Sequence, residues 1–258
     1  NGTSVGGAVG VGVSLNTIGN QTSAVIDGVD VTASGGGVTL DASSTADIDA
    51  ATTAVSVGFS GSSGSASVSV GTSVSYAENN VANTVEAVLA DADVTSGGAV
   101  TLTALDDTTI DSDVVAAAVS ASFSSSSLSG ALAVGVVYAL NTIDNTTRAV
   151  VEDGAGVDAL GGFTAAAEST SRISAVGAAA SVSIAASSGS LGLSGAGTGA
   201  VVDNVITNTI VAGVTGGSSL DAGGAVSVTA VDDATISSDV VAASASIAAG
   251  DIAVSLAI

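Results

Sequence analysis

The stretch VTLTALDDTTI at residues 100–110 decides the fold, because close relatives of it recur along the chain. The other copies are VTLDASSTADI (38–48), FTAAAESTSRI (163–173) and VSVTAVDDATI (226–236). Subtracting the starting positions 38, 100, 163 and 226 gives spacings of 62, 63 and 63 residues. A fixed period of this kind is the signature of a solenoid or of a linear array of units.

Four further markers keep nearly the same period. Asn-x-x-x-Asn pairs stand at Asn16/Asn20, Asn79/Asn83, Asn141/Asn145 and Asn204/Asn208. A bulky residue among Ala and Ser stands at Phe59, Phe123, Ile184 and Ile247. Three residues before each Asn pair stand Val13, Tyr76, Tyr138 and Val201, and glycine pairs stand at 36–37, 97–98, 161–162 and 223–224. The whole chain, residues 1–258, is therefore predicted to be one continuous repeat array.

Within a repeat the apolar period is two, which is typical of β-strands. SASVSVGTSVSY (65–76) alternates small polar with apolar residues, and no stretch shows the 3.6-residue period of an amphipathic helix. Each repeat is predicted to contain five strands, which in the second repeat are TLTAL (101–105), VVAAAVSASF (114–123), SLSGALAVGVVYAL (127–140), RAVVED (148–153) and GVDAL (156–160). The prediction is an all-β fold, a β-solenoid of stacked parallel in-register strands built from four repeats of about 63 residues.

A tandem array of separate β-sandwiches is the main alternative. An immunoglobulin-like unit needs about 100 residues and a large aromatic anchor, and this chain has no Trp and only two Tyr. The chain also has no Pro, which in sheets is confined to edges and bulges. Both observations favour the solenoid, in which each repeat covers the open edge of its neighbour.

Composition excludes several classes of function. The chain lacks Cys and His, so zinc fingers, haem ligation, disulfides and the usual nucleophilic dyads and triads are excluded. Its only cations are two arginines against 24 acidic residues, which gives a net charge of −22 and leaves no patch for nucleic acid or an anionic membrane. The mean hydropathy of +0.67 argues against disorder. The most apolar stretch, residues 127–140, is too short for a membrane-spanning helix, and no membrane insertion is expected.

An acidic pair occurs in alternate repeats only. Asp106-Asp107 and Asp232-Asp233 alternate with Ser44-Thr45 and Ser169-Thr170. If each repeat forms one wide rung, equivalent residues lie about 4.8 Å apart, and alternation would keep the carboxylates from stacking on one another. Duplication of a two-repeat block would produce the same pattern. Several rungs per repeat would leave duplication as the only account.

The repeats resemble those of large bacterial filamentous adhesins, the filamentous-haemagglutinin-like and leukotoxin-like secreted exoproteins. The clearest run is AVGVVYALNTIDNTTRAVVEDGAGVDALGGFTAAAES (133–169). The residues that match the family pattern there are Asn141, Asn145, Thr146, Thr147, Ala149, Gly154, Gly161 and Gly162. The first repeat matches it at Asn16, Asn20, Ala24, Asp27, Gly28, Gly36, Gly37, Val38, Thr39 and Leu40, whereas the fourth has Val205-Ile206-Thr207 inside its Asn pair. The resemblance implies a secreted β-solenoid stalk attached to a bacterial surface.

Candidate site residues belong to two groups. The acidic residues are weak Ca²⁺ candidates because Ca²⁺ takes six to eight oxygens: Asp106, Asp107, Asp111, Asp113, Asp232, Asp233 and Asp239. A solvated acidic edge is the alternative interpretation. The paired asparagines are interpreted either as turn residues or as hydrogen-bonded ladders along the stack.

We expect a structural, non-enzymatic segment of an extracellular fibre or adhesin stalk, with no catalytic residue and no cofactor. A Ca²⁺-dependent or ligand-binding adhesion module is the alternative. Both ends of the sequence fall inside a repeat, so we expect a piece of a longer array. Its expected partners are further repeats or identical chains, end to end, and a host or neighbouring cell surface.

Overall fold

The computed structural model describes residues 2–125, 127–189 and 191–258. Each repeat of the sequence forms one coil of four strands: a long first strand, two short strands and a fourth strand that runs back beside the first. In the described residues these are β1(Thr3–Ile18), β2(Gln21–Asp27), β3(Val31–Ala33), β4(Val38–Ser62), β5(Ala66–Val81), β6(Thr84–Ala90), β7(Asp93–Ser96), β8(Val100–Ser124), β9(Leu128–Ile143), β10(Thr146–Glu152), β11(Gly156–Ala159), β12(Phe163–Ser187), β13(Leu191–Ile206), β14(Thr209–Val214), β15(Ser219–Ala222), β16(Val226–Ala249) and β17(Ile252–Ala257).

Every strand pairs in parallel with its equivalent in the neighbouring coil. The sheets have the strand orders β1-β5-β9-β13-β17, β2-β6-β10-β14, β3-β7-β11-β15 and β4-β8-β12-β16. Asn79 lies opposite Asn16 on one side and Asn141 on the other, so residues one repeat apart are direct neighbours. One repeat is therefore one rung, and the all-β solenoid of in-register parallel strands is confirmed.

The prediction of five strands per repeat is wrong, since there are four. The segments TLTAL and VVAAAVSASF are two ends of the single strand β8(Val100–Ser124). The intervening DDTTIDSD resembles a turn by composition, yet its side chains continue to alternate between the interior and solvent. The strand continues without a break because every second residue faces inward along its whole length.

The wide half of each coil encloses a large apolar core. The second, third and first part of the fourth strands surround Leu89, Leu102, Val94, Val151 and Phe163, which are all buried. A second buried layer follows along the fourth strand, built from Ile48, Ile110, Ile143 and Ile173 with Val81. A third layer contains only Val and Ala, for example Val114 and Ala77. The space between the sheets therefore becomes narrower from the first layer to the third.

From the third layer onward the first-strand and fourth-strand sheets pack directly on each other. We call this part the blade and define it by residues 3–13, 52–74, 114–125, 127–137, 177–189, 191–200 and 240–257. Apart from Val114 and Val137 in the third layer itself, its inward side chains are small, such as Ser67, Ser73 and Ser120. A Cβ placed on Gly71 would lie 2.5 Å from the carbonyl oxygen of Val119, so the sheets leave room for almost nothing between them there.

The turns between the short strands use left-handed backbone. Gly28, Gly154 and Gly216 have positive φ, and so do Asp91 (φ 44°) and Asp153 (φ 58°). Asp and Gly tolerate this region better than most other residues, which fits the Gly and Asp content of these turns. Among the described residues, no helix is long and apolar enough to cross a membrane.

One of the sequence markers is out of register. Phe59 lies opposite Ala121, and Phe123 lies opposite Gly61, two positions further along the strand. The two rings still touch diagonally, with centroids 5.8 Å apart. The Tyr76 and Tyr138 pair is in register, and its rings stack 5.8 Å apart with 5° between their planes.

Candidate functional site

The first asparagine of each pair belongs to a hydrogen-bonded column. Nδ2 of Asn16 donates to Oδ1 of Asn79 at 2.8 Å, Asn79 donates to Asn141 at 2.7 Å, and Asn141 donates to Asn204 at 2.7 Å. Asn79 and Asn141 are almost wholly buried. The column stands between the Ile layer and the Val–Ala layer, because Asn79 also donates to Ser112, which lies between Ile110 and Val114. Of the two interpretations of this asparagine, the ladder is the one observed.

The second asparagine makes a different connection. Oδ1 of Asn83 accepts from the backbone N–H of Asn20 at 3.1 Å, and Oδ1 of Asn145 accepts from that of Asn83 at 2.8 Å. These contacts fix the corner between the first and second strands of successive coils. None of the eight repeat-marker asparagines has positive φ, so the left-handed turn interpretation does not apply to them.

The side-chain NH2 groups of two of these second asparagines, Asn83 and Asn145, both donate hydrogen bonds to Asp106. Nδ2 of Asn145 donates to its Oδ2 at 2.6 Å, and Nδ2 of Asn83 donates to its Oδ1 at 3.3 Å. Thr108 also donates to Oδ2, at 3.1 Å. Asp106 is 3% exposed, so it is an internal carboxylate and not part of a solvated edge.

Burial raises the pKa of Asp106 above its ordinary value. The hydrogen bonds from Thr108, Asn83 and Asn145 lower the pKa but do not cancel that effect, and the neighbouring Asp107 raises it further. A carboxylate surrounded by three donors has its oxygens already satisfied, which leaves them less available to a metal ion.

The other Ca²⁺ candidates are spread over two surfaces. Asp107, Asp111 and Asp113 point outward from β8 and are exposed. Asp232, Asp233 and Asp239 are exposed on β16 at the end of the stack, where Asn208 donates to Asp232 at 2.9 Å. In the described part of the chain no three acidic side chains come close enough to hold a metal ion. Ca²⁺ binding remains a prediction.

The alternation of acidic pairs has the geometry expected for one rung per repeat. Asp106 lies between Ser44 and Ser169, and Ser169 in turn lies between Asp106 and Asp232. Carboxylates at this inward position are therefore two rungs apart, about 9.6 Å. The rule does not extend to the exposed surface, where Asp49 lies directly opposite Asp111 and Asp158 opposite Asp221.

Two surface features were missed by the sequence analysis. Asp93, Asp158 and Asp221 line a shallow cavity of about 350 Å³ on the third-strand sheet. Arg148 bridges Glu86 and Glu152 at 2.9 and 2.6 Å on the second-strand sheet. The acidic lining of the cavity could have been predicted from the repeat spacing, because Asp93 and Asp158 occupy nearby positions of successive repeats.

Comparison with known protein families, curated proteins and solved structures finds no match to this chain.

Proposed function

We propose that the chain is a structural, non-enzymatic segment of an extracellular bacterial surface fibre or adhesin stalk. The observation that carries the proposal is the uninterrupted parallel pairing of every strand class from coil to coil. Each coil advances the stack by about 4.8 Å, so length is set by the number of repeats alone. The buried Asn column holds successive coils in one register, and Asp106 adds to it by accepting from Asn83 and Asn145 of neighbouring coils.

Two properties of the chain support the same proposal. Each strand class pairs in parallel with its equivalent in the next coil, so a further coil of the same kind would pair in the same way. With only two arginines and no lysine, the chain also offers trypsin very few cleavage positions. These properties suit a protein exposed outside the cell.

Immunogold electron microscopy of intact source cells, with antibodies raised against this chain, tests the proposed location. Label on thin projections beyond the cell envelope is the expected result. Label that appears only after permeabilisation would contradict the proposal.

Thermal unfolding in excess Ca²⁺ and in chelator distinguishes the structural stalk from the alternative, a Ca²⁺-dependent adhesion module. A structural stalk is expected to unfold at the same temperature in both buffers once ionic strength is matched. A binding module with specific sites would lose stability in chelator, because a ligand bound only to the folded state stabilises it.

A further inference from the structure

Almost all the charge of this molecule lies in one part of every coil. The blade contains a single charged residue, Asp251, so the other 23 of the 24 acidic residues and both arginines lie outside it. The blade therefore carries one negative charge in a chain of net charge −22. This segregation recurs in all four coils.

The outward side chains of the blade are apolar. On the first-strand sheet they include Val68, Val70, Val74, Leu132, Val134, Val136 and Leu193, which we call the valine–leucine face. Val70 and Leu132 are 37% and 45% exposed although they belong to inner coils, so their exposure does not come from the open ends. Large continuous apolar patches on a soluble surface mark sites of interaction.

We infer that a second copy of this chain packs on the valine–leucine face, sheet against sheet. The first argument is electrostatic. Two chains of charge −22 repel each other along their wide halves, and the blade is where they can touch without bringing carboxylates together. The inference rests on the fold and is independent of the proposed location outside the cell.

The second argument is size. Five strands about 4.8 Å apart, with about nine blade residues each at 3.3 Å rise, give a face of about 700 Å² on each copy. That area lies within the range that each partner contributes to a stable interface of standard size.

The third argument is shape. The face has both ridges and a depression: a cavity of about 450 Å³ runs across Gly130 and Gly195, flanked by Leu132, Leu193 and Leu256. Leucine ridges beside glycine depressions allow two identical faces to interlock around a two-fold axis, as closed dimers require. The other outer face of the blade is richer in Ala and has fewer such ridges.

Sedimentation velocity over a concentration series tests the inference, with a double variant on each face of the blade. Val70→Glu with Val136→Glu places carboxylates on the valine–leucine face, where the two valines are 37% and 38% exposed and lie on neighbouring strands, four positions out of register. Val115→Glu with Val182→Glu is the matched control on the opposite face, where both valines are 37% exposed and have the same offset. All four side chains point outward from strands of inner coils.

The wild type and the control are expected to reach a dimer plateau, whereas the first variant sediments as a monomer, with a dissociation constant raised about 100-fold or more by facing like charges. Continued growth without a plateau would indicate end-to-end assembly instead. A monomeric wild type, or equal loss in both variants, would overturn the inference. A Val70→Thr with Val136→Thr variant, which keeps the β-branched shape, is expected to weaken the dimer to a smaller extent and covers the case in which the Glu variant does not fold. Wild-type monomer that floats with phosphatidylcholine vesicles would show a lipid surface as the partner and would also overturn it.

Discussion

The wide half and the blade solve the same folding problem in opposite ways. In the wide half, three strand classes enclose enough space for Phe163, Leu102 and Leu89, and the charged residues other than the buried Asp106 point to solvent. In the blade, two sheets close directly, the interior beyond the third layer holds mainly Ser, Gly and Ala, and valines and leucines point outward. One strand, β8, passes through both environments without a break.

The comparison shows that the space between the sheets decides which residues lie inside. Burial of apolar surface favours large side chains in the interior wherever they fit. Where the backbones approach too closely, only the smallest side chains fit, and the strand must place its valines on the other side. Alternation alone therefore predicts two faces but does not say which of them is the interior.

The largest expected effect comes from filling the blade interior. Gly71→Val would push a side chain into the carbonyl of Val119, since even a Cβ at Gly71 would lie 2.5 Å from that oxygen. We expect a loss of about 3 kcal/mol or more in the free energy of unfolding, because overpacking forces the backbone to move. Denaturant unfolding followed by circular dichroism measures the loss.

Gly130→Val is the matched control, since Gly130 points outward and its nearest neighbour would be Val68 Cγ2 at 3.8 Å. It should leave stability unchanged or raise it slightly, because valine favours strands over glycine. Similar losses in both variants would refute the close approach of the sheets in the blade.

The next effect tests the column at the junction of the two halves. Asn141→Ala removes the acceptor of Asn79 and the donor to Asn204 in a buried setting. We expect a loss of about 2–4 kcal/mol, since the buried amide of Asn79 and the half-buried amide of Asn204 each lose a partner. Asn16→Ala removes two partly buried hydrogen bonds, to Asn79 and Ser14, at the more solvated end of the column and is expected to cost less than half as much. Equal costs would mean that the column is not continuous.

The sequence was sufficient for the periodic features. The common period of the VTL segments and the Asn pairs predicted the solenoid, because residues one repeat apart become neighbours in a parallel in-register stack. The Asn ladder was among the predicted interpretations, and Asn79 and Asn141 are hydrogen-bonded at 2.7 Å.

The inversion in the blade was not predictable from the pattern of single strands. Ser73 and Val74 alternate as a polar and an apolar residue do in any half-exposed strand, which favours an interior valine. The opposite orientation follows from the approach of a strand that is distant in sequence. The burial of Asp106 was missed for a similar reason, since its partner Asn145 is 39 residues away.

A third effect depends on pH and concerns the charge inside the wide half. Because burial raises the pKa of Asp106, its share of folding stability is complete when it is protonated and falls as pH rises through that raised pKa. Asp106→Asn should therefore gain stability relative to the wild type as pH increases from acid to neutral. Urea midpoints of both proteins across that range measure the difference.

Asp107→Asn serves as the control because it removes the same charge from an exposed neighbour on the other side of β8. Its effect should be small and should shrink as salt is added, since exposed charges are screened. If the difference in urea midpoint between wild type and variant depends on pH in the same way for both substitutions, Asp106 behaves as a surface carboxylate.

The smallest expected effect tests whether serine lies inside the blade because it is small or because it forms hydrogen bonds. Ser73 and Ser129 are both fully buried there, but Ser129 donates to the carbonyl of Ser122 at 2.7 Å, whereas the hydroxyl of Ser73 has no partner among the described residues. Ser73→Ala should raise the free energy of unfolding by about 1 kcal/mol and Ser129→Ala should lower it by about the same amount. Opposite signs in urea unfolding would establish that small volume suffices at Ser73. Equal losses would instead show that both hydroxyls are hydrogen-bonded, and the interior of the blade would then be a polar network.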